Sequence, residues 1–285
     1  MAGRWAVLSD VHSNFFALDA VLADAHARGV DQVLCLGDVV GYGPEPHRCV
    51  GRLQEEVSDG AWVLGNHDEA LCLLHNELPE EAPRAVRERI GIREETWIAL
   101  RRNYELLRRY PPRLEHLAAQ RTRSRIATRV SLVHGGHRHD EPTLTSVVAA
   151  EDARDEFHFL DRTKIGFDIL LVGHTHRPAG FRQRAAGGEA FEVIRIEPPG
   201  VLELEDRRWV LNPGSVGQPR DGDPRASYMI LDLERNVVEF RRVEYKLRKT
   251  QTTMEVLGLP GPLIWRLDPA SGKLGLRQME GATAR

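Results

Sequence analysis

The chain has 285 residues, 41% of them hydrophobic and 28% charged, and a formal net charge of −3. That length holds one or two domains with an ample core, and the composition is that of an ordinary soluble globule. The slightly negative balance argues against a dedicated nucleic-acid binder, no apolar run reaches the ~20 residues of a membrane span, and three cysteines cannot all pair, which fits free thiols in a reducing cytoplasm.

The chain enters a strand within a few residues of its start, without the long apolar segment of a signal peptide. Trp5-Ala6-Val7-Leu8-Ser9 runs into Asp10-Val11-His12. Phe16 to Arg28 then reads as a helix, with Phe16, Ala20, Ala23 and Ala27 near one face. Gln32-Val33-Leu34-Cys35-Leu36 runs into Gly37-Asp38. Glu45 to Val57 reads as a second helix, entered through Pro44 and Pro46. Trp62-Val63-Leu64 runs into Gly65-Asn66-His67-Asp68. A helical insertion over about 77–118, punctuated by Pro79, Pro83 and Pro111-Pro112, breaks the alternation where a substrate-shaping cap would sit.

From about Arg121 the pattern turns mostly to strands. Val130-Ser131-Leu132-Val133 runs into His134-Gly135, and Ile169-Leu170-Leu171-Val172 runs into Gly173-His174-Thr175-His176. Gly187-Gly188 and Pro198-Pro199-Gly200 read as turns, and Ala226–Leu233 with Val237–Val243 as a closing hairpin. Residues 1–245 form the main domain on this reading. Residues 246–285 form a C-terminal extension packed on it, with a short helix near Thr252–Leu257 and a frayed end. Two packed sheets with helices outside make an α/β fold, a four-layer α/β/β/α sandwich.

Five apolar runs therefore end in metal-ligand residue types, where open α/β sheets place their sites. The candidates are Asp10, His12, Asp38, Asn66, His134, His174 and His176. Carboxylate, imidazole and amide oxygen suit Mn, Fe, Co, Ni or Zn, and the absence of thiolate disfavours a structural zinc knot. Seven side chains are too many for one ion and about right for two. Extended backbone would point Asp10 and His12 the same way. The lone Asp38 would bridge two ions through its two oxygens, in the clamp used for in-line phosphoryl displacement.

In that order and strand context, Asp10-Val11-His12, Gly37-Asp38, Gly65-Asn66-His67-Asp68, His134 and Gly173-His174-Thr175-His176 resemble the calcineurin-like metallophosphoesterase superfamily. Gly37–Pro44 and Leu211–Arg220 resemble loops of its small bacterial phosphodiesterase branch. The resemblance implies the same four-layer sandwich. It puts Asp10, His12, Asp38 and His176 on one metal, and Asp38, Asn66, His134 and His174 on the other. It makes His67 the acid that protonates the leaving oxygen, oriented by Asp68. Gly41 and Tyr42 stand where protein Ser/Thr phosphatases carry Asp-Arg, and Gly41 where repair-type nucleases carry a second histidine.

The function implied is hydrolysis of a small, nucleotide-like phosphodiester or phosphomonoester by a metal-bridged hydroxide, with manganese the favoured pair of ions. Arg138 and Arg220 are candidate phosphate contacts, weighed against surface salt bridges. His137 and His139 read as exposed loop residues. Asn212 and Ser215 read as turn-shaping residues. Two competing functions remain. A non-catalytic scaffold of the same fold is disfavoured by the complete ligand set. A nucleic-acid-directed nuclease is supported only by residues 83–129, which hold 13 Arg against 5 Glu, a net +8 that leaves −11 for the rest. A solvated helical face is the simpler account of that segment, since arginine without stacking aromatics is a poor sign of single-strand binding.

Overall fold

Strands that are covered on both faces are apolar at every position, and alternate residues serve different layers. The computed structural model describes residues 3–75, 93–138, 140–164 and 166–268. One sheet has the order β2 (Gln32–Cys35), β1 (Arg4–Leu8), β10 (Ala226–Asp232), β11 (Val237–Val243), β8 (Gly200–Glu203). The other has the order β3 (Arg123–Ile126), β4 (Val130–Val133), β5 (Ile169–Leu171), β9 (Trp209–Pro213), β6 (Pro178–Gln183), β7 (Phe191–Ile194). β1 pairs parallel with β2, as do β4 with β5 and β5 with β9, and the other pairings are antiparallel.

The two sheets share one core. Val7, Leu34, Met229 and Phe240 from the first sheet join Leu132, Leu171, Trp209 and Leu211 from the second. The intervening residues Val133, Leu170 and Val210 face the other way, against Phe157 and Leu160 of α6 (Ala150–Arg162). Burying each such side chain contributes about 1.5–3 kcal/mol. Helix α1 (Phe15–Ala27) lies against β10 and β11 of the first sheet, and α2 (Pro46–Glu56) packs beside α1. The result is two mixed sheets flanked by helices.

Three sequence expectations need correction. Trp62–Leu64 forms isolated parallel bridges, Cys35 with Trp62 and Val63 with Arg121, and not a named strand. It still extends the edge of β2, because Val63 N donates to Cys35 O at 3.0 Å. Second, α6 lies in a region read as strands. Its buried face carries Glu156 beside Ala153, Phe157 and Leu160, so a charged residue interrupts the apolar period. Third, the short C-terminal helix is longer than expected: α7 (Leu247–Val256) is followed by α8 (Gly261–Trp265).

The described part of the helical insertion supplies α4 (Glu94–Leu107) and α5 (Pro111–Ala118), after α3 (Asn66–His75). Residues 77–92 of that insertion and 269–285 of the C-terminal segment lie outside the described residues. Met254, Leu259, Leu263 and Ile264 of the C-terminal helices pack with Ala99 of α4 and with Tyr42. Tyr42 belongs to the loop that follows β2, so this contact reaches the ligand loops.

Candidate metal centre

The ligand-bearing loops are stitched together by backbone hydrogen bonds. Asp10 N donates to Gly37 O (3.0 Å), His12 N to Asp38 O (2.9 Å) and Gly173 N to His134 O (2.7 Å). Val216 N and Gly217 N close the layer by donating to Ser9 O (3.0 Å) and Asp10 O (2.9 Å). Within this frame Asp10, His12, Asp38, His174 and His176 all adopt left-handed backbone, with φ from 46° to 65°. Each such non-glycine residue costs on the order of 1–3 kcal/mol and persists only where the surroundings over-determine it. Asp10 and His12 thus reach one place from turned backbone, and not from the extended backbone the spacing implied.

Six of the seven candidate ligands are buried, and His174 is half-buried. His12, His134 and His176 share one arrangement. Their Nδ1 atoms lie 3.0, 2.7 and 2.7 Å from the carbonyl oxygens of Val40, Leu36 and Gln218. A carbonyl only accepts, so each ring carries a proton on Nδ1 and turns Nε2 inward. His176 Nε2 lies 3.3 Å and His12 Nε2 3.7 Å from Asp10 Oδ1. His12 Nε2 and His134 Nε2 lie 3.6 and 3.4 Å from Asp38 Oδ2. On the other side of the cluster, His174 Nδ1 lies 3.1 Å from Asn66 Oδ1, and the His134 and His174 rings stand 5.2 Å apart.

Asp38 is oriented by the backbone. Its Oδ1 accepts the backbone N–H of His67 at 2.8 Å, so Oδ2 is the oxygen that faces both histidines. Gly65 makes this approach possible, because a Cβ there would stand 2.0 Å from Asp38 Oδ1.

The donor set fits divalent cations. Asp10 Oδ1 and His134 Nε2 are buried without any hydrogen-bond partner. Burial alone would raise the Asp10 and Asp38 carboxyls, yet the neighbouring histidines outweigh it and hold both well below the ordinary range. Burial would lower His134, yet Asp38 and Asp10 pull it up to about 10. The two carboxylates thus stabilise positive charge at the point where Nε2 atoms converge. Two groups with ligand atoms within 4.8 Å of one another, Asp10-His12-His176 and Asp10-Asp38-His134, fall on the expected residues; a third is His12-Asp38-His67.

The His67 ring sits 4.8 Å from that of His12 and 4.6 Å from that of Tyr42, with Nδ1 buried and unpartnered. Gly41 leaves room for it: a Cβ at that position, where φ is +100°, would stand 2.3 Å from His67 Nδ1. Burial pushes His67 down to about 3 despite the adjacent Asp38. Asp68 makes no hydrogen bond to this ring. Its two oxygens accept the backbone N–H groups of Val40 (3.0 Å) and Gly65 (3.1 Å), which ties the β2 loop to α3.

The two candidate arginines separate. Arg138 lies beside Asp152 (2.8 Å), Glu156 (3.5 Å) and Asp155 (3.8 Å), so its charge is taken up by three carboxylates. Arg220 is exposed and has no carboxylate partner among the described residues. It donates to Tyr42 Oη (3.1 Å) and Gln218 Oε1 (3.4 Å). His137 is buried, against expectation, with Nε2 2.8 Å from Ser131 Oγ; His139 lies outside the described residues. Asn212 and Ser215 shape their turn as read: Asn212 Oδ1 accepts from Gly214 N at 2.9 Å, and Ser215 Oγ donates to Asp10 O at 2.8 Å.

The profile of the calcineurin-like phosphoesterase superfamily domain matches residues 4–236. The chain belongs to the calcineurin-like phosphoesterase superfamily. It is 35% identical to a metallophosphoesterase from Sphaerobacter thermophilus, with 94% of this chain and 98% of that one covered and a TM-score of 0.76. It is 32% identical over 246 residues to an uncharacterized protein of Methanocaldococcus jannaschii, covering 86% of this chain and 88% of that protein. A hypothetical protein from Pyrococcus horikoshii, 20% identical, shares the fold at a TM-score of 0.70 over 93% of this chain and 97% of that one. This calcineurin-like phosphoesterase is accordingly a phosphoric ester hydrolase of a metal-dependent family. No helix among its described residues is long and apolar enough to cross a membrane.

Sequence reading missed two side chains of this phosphoesterase that hold the site together. Tyr42, with φ 41°, packs its ring 4.4 Å from that of His12. Asn103 of α4 accepts from Gly41 N (2.8 Å) and Ser13 Oγ (2.5 Å) and donates to Gly43 O (2.9 Å). A signal for Asn103 was present, since it interrupts the buried stripe of Ala99, Leu100 and Leu107.

Proposed function

We propose that this chain is a dinuclear-metal phosphoesterase acting on small, nucleotide-like phosphoesters. The observation that carries the reading is the convergence of three Nε2-directed histidines on Asp10 Oδ1 and Asp38 Oδ2, with buried ligand atoms left unsatisfied. Asp10, His12, His176 and Asp38 would hold one ion, and Asp38, His134, Asn66 and His174 the second. Bound there, divalent ions supply charge neutralisation for phosphoryl oxygens and a more acidic water. Manganese is the ion we favour.

The chain's own groups do the rest. The carbonyls of Val40, Leu36 and Gln218 hold the three imidazoles in one tautomer, so little reorganises during reaction. His67 stands beside the cluster, and we assign it proton delivery to the leaving oxygen. Arg220 has no carboxylate partner among the described residues and is assigned to the phosphoryl group. We place this activity in the cytoplasm and in a domain spanning residues 1–245, with 246–285 as an extension whose described part packs with Tyr42.

The experiment is a hydrolysis screen of phosphomonoesters, phosphodiesters and dinucleoside polyphosphates with metal analysis beside it. Turnover of small esters with weak salt dependence supports the reading. The nuclease alternative draws on the arginine-rich segment 83–129. Tight, steeply salt-sensitive cleavage of long DNA or RNA would establish it instead.

A further inference from the structure

We infer that Arg220, braced by Tyr42 and Gln218, is a clamp for a third non-bridging phosphoryl oxygen, so that the site favours dianionic phosphomonoesters over diesters. This rests on the phosphoesterase reading above and narrows its substrate class.

Three observations carry it. First, Arg220 keeps a guanidinium at the surface with no carboxylate partner among the described residues, whereas Arg138 is surrounded by three. Second, the guanidinium is aimed. One terminal nitrogen donates to both Tyr42 Oη and Gln218 Oε1, the carbon lies 5.8 Å from the Tyr42 ring centroid, and the Arg220 backbone N–H donates to His176 O at 3.2 Å. Tyr42 in turn packs against His12 and His67 at 4.4 and 4.6 Å. Third, Gln218 Nε2 is buried and has no partner, which leaves a second donor unused beside the first.

The loop that presents Arg220 is anchored. The buried Arg242 of β11 binds the Asp221 carboxylate and donates to Arg225 O at 3.1 Å, so the residue next to Arg220 is fixed to the sheet. A guanidinium with its other donors free matches two oxygens of one phosphoryl group. With the scissile phosphoryl at the ligand cluster, a donor on the rim meets the substituent turned away from it. In a monoester that substituent is a charged oxygen; in a diester it is an ester oxygen and its carbon chain. Only the first repays the desolvation of the guanidinium.

The test compares nitrophenyl phosphate with methyl nitrophenyl phosphate on the metal-loaded enzyme. Arg220→Gln should lower kcat/KM about 10–100-fold for the monoester, as expected for a charge-assisted bond, and several-fold at most for the diester. Tyr42→Phe keeps the ring packing and should shift the same ratio in the same direction, by less. Equal losses on both esters, or a larger loss on the diester, overturn the clamp. Titration with inorganic phosphate gives a second readout: its Kd should rise about tenfold in Arg220→Gln, and an unchanged Kd overturns the clamp. If the wild type hydrolyses neither ester, the phosphoesterase reading fails, and the phosphate titration still decides the clamp.

Discussion

Asp38 and His134 meet across the two sheets, with Oδ2 and Nε2 3.4 Å apart. Asp38 follows β2 in one sheet and His134 ends β4 in the other. The same oxygen lies 3.6 Å from His12 Nε2, so one carboxylate atom serves histidines from both sides of the cluster.

Asp38→Asn should therefore weaken both ion sites and abolish hydrolysis. The amide keeps an oxygen but loses the charge that the imidazoles surround. Elemental analysis should find two divalent ions per chain in the wild type and fewer in the variant. Occupancy that never exceeds one ion in saturated wild-type protein would sink the dinuclear proposal.

His67→Ala separates proton delivery from metal binding. We expect both ions to stay and the rate to fall about 10²–10⁴-fold for poor leaving groups, the usual worth of general-acid help. Nitrophenolate departs without a proton, so its esters should lose far less. An equal loss for all leaving groups, or loss of an ion, would instead make His67 a ligand, in keeping with its place beside His12 and Asp38.

Asp68 should prove structural. Burial and the nearby Asp38 push its carboxyl up to about 7, while the backbone N–H groups of Val40 and Gly65 hold its oxygens. Asp68→Ala leaves two buried donors unpaired and should cost about 1–3 kcal/mol for each. Urea unfolding should register that loss. Unchanged stability together with a leaving-group-dependent rate defect would return Asp68 to the role of orienting His67.

His137 should make stability depend on pH. Burial, with Arg123 nearby, lowers it from 6.5 to about 4. Below pH 6.5 the unfolded chain takes up a proton that the folded chain resists. The contribution is thus present above about 6.5 and is lost as pH falls toward 4, up to about 3 kcal/mol in all. His137→Gln should flatten this part of the profile. Unfolding free energies at pH 7.5 and 4.5 that differ by the same amount in variant and wild type would contradict it.

The seven ligand candidates were legible in the chain itself because each follows an apolar run. Those runs arise where both strand faces are covered, as Val133 and Leu132 show by packing into opposite cores. Periodicity is a local signal, so it located the strand ends and the residues on them. It could not reveal α6, because Glu156 occupies the apolar face to accept the His137 and Arg138 N–H groups.

Side-chain roles set by partners far along the chain were decided only by the tertiary structure. Arg138 and Arg220 are alike as sequence, each in a loop a few residues beyond a strand. Folding gives the first three carboxylates, all from α6, and gives the second a tyrosine hydroxyl from the β2 loop. Asp68 likewise follows the ligand loop in sequence, yet its oxygens bond backbone on both sides of that loop. Residue type and spacing determined which atoms can bind a metal. Which oxygen faces the cluster, and which cation stays free for a phosphate, depended on loops that meet only when the two sheets pack.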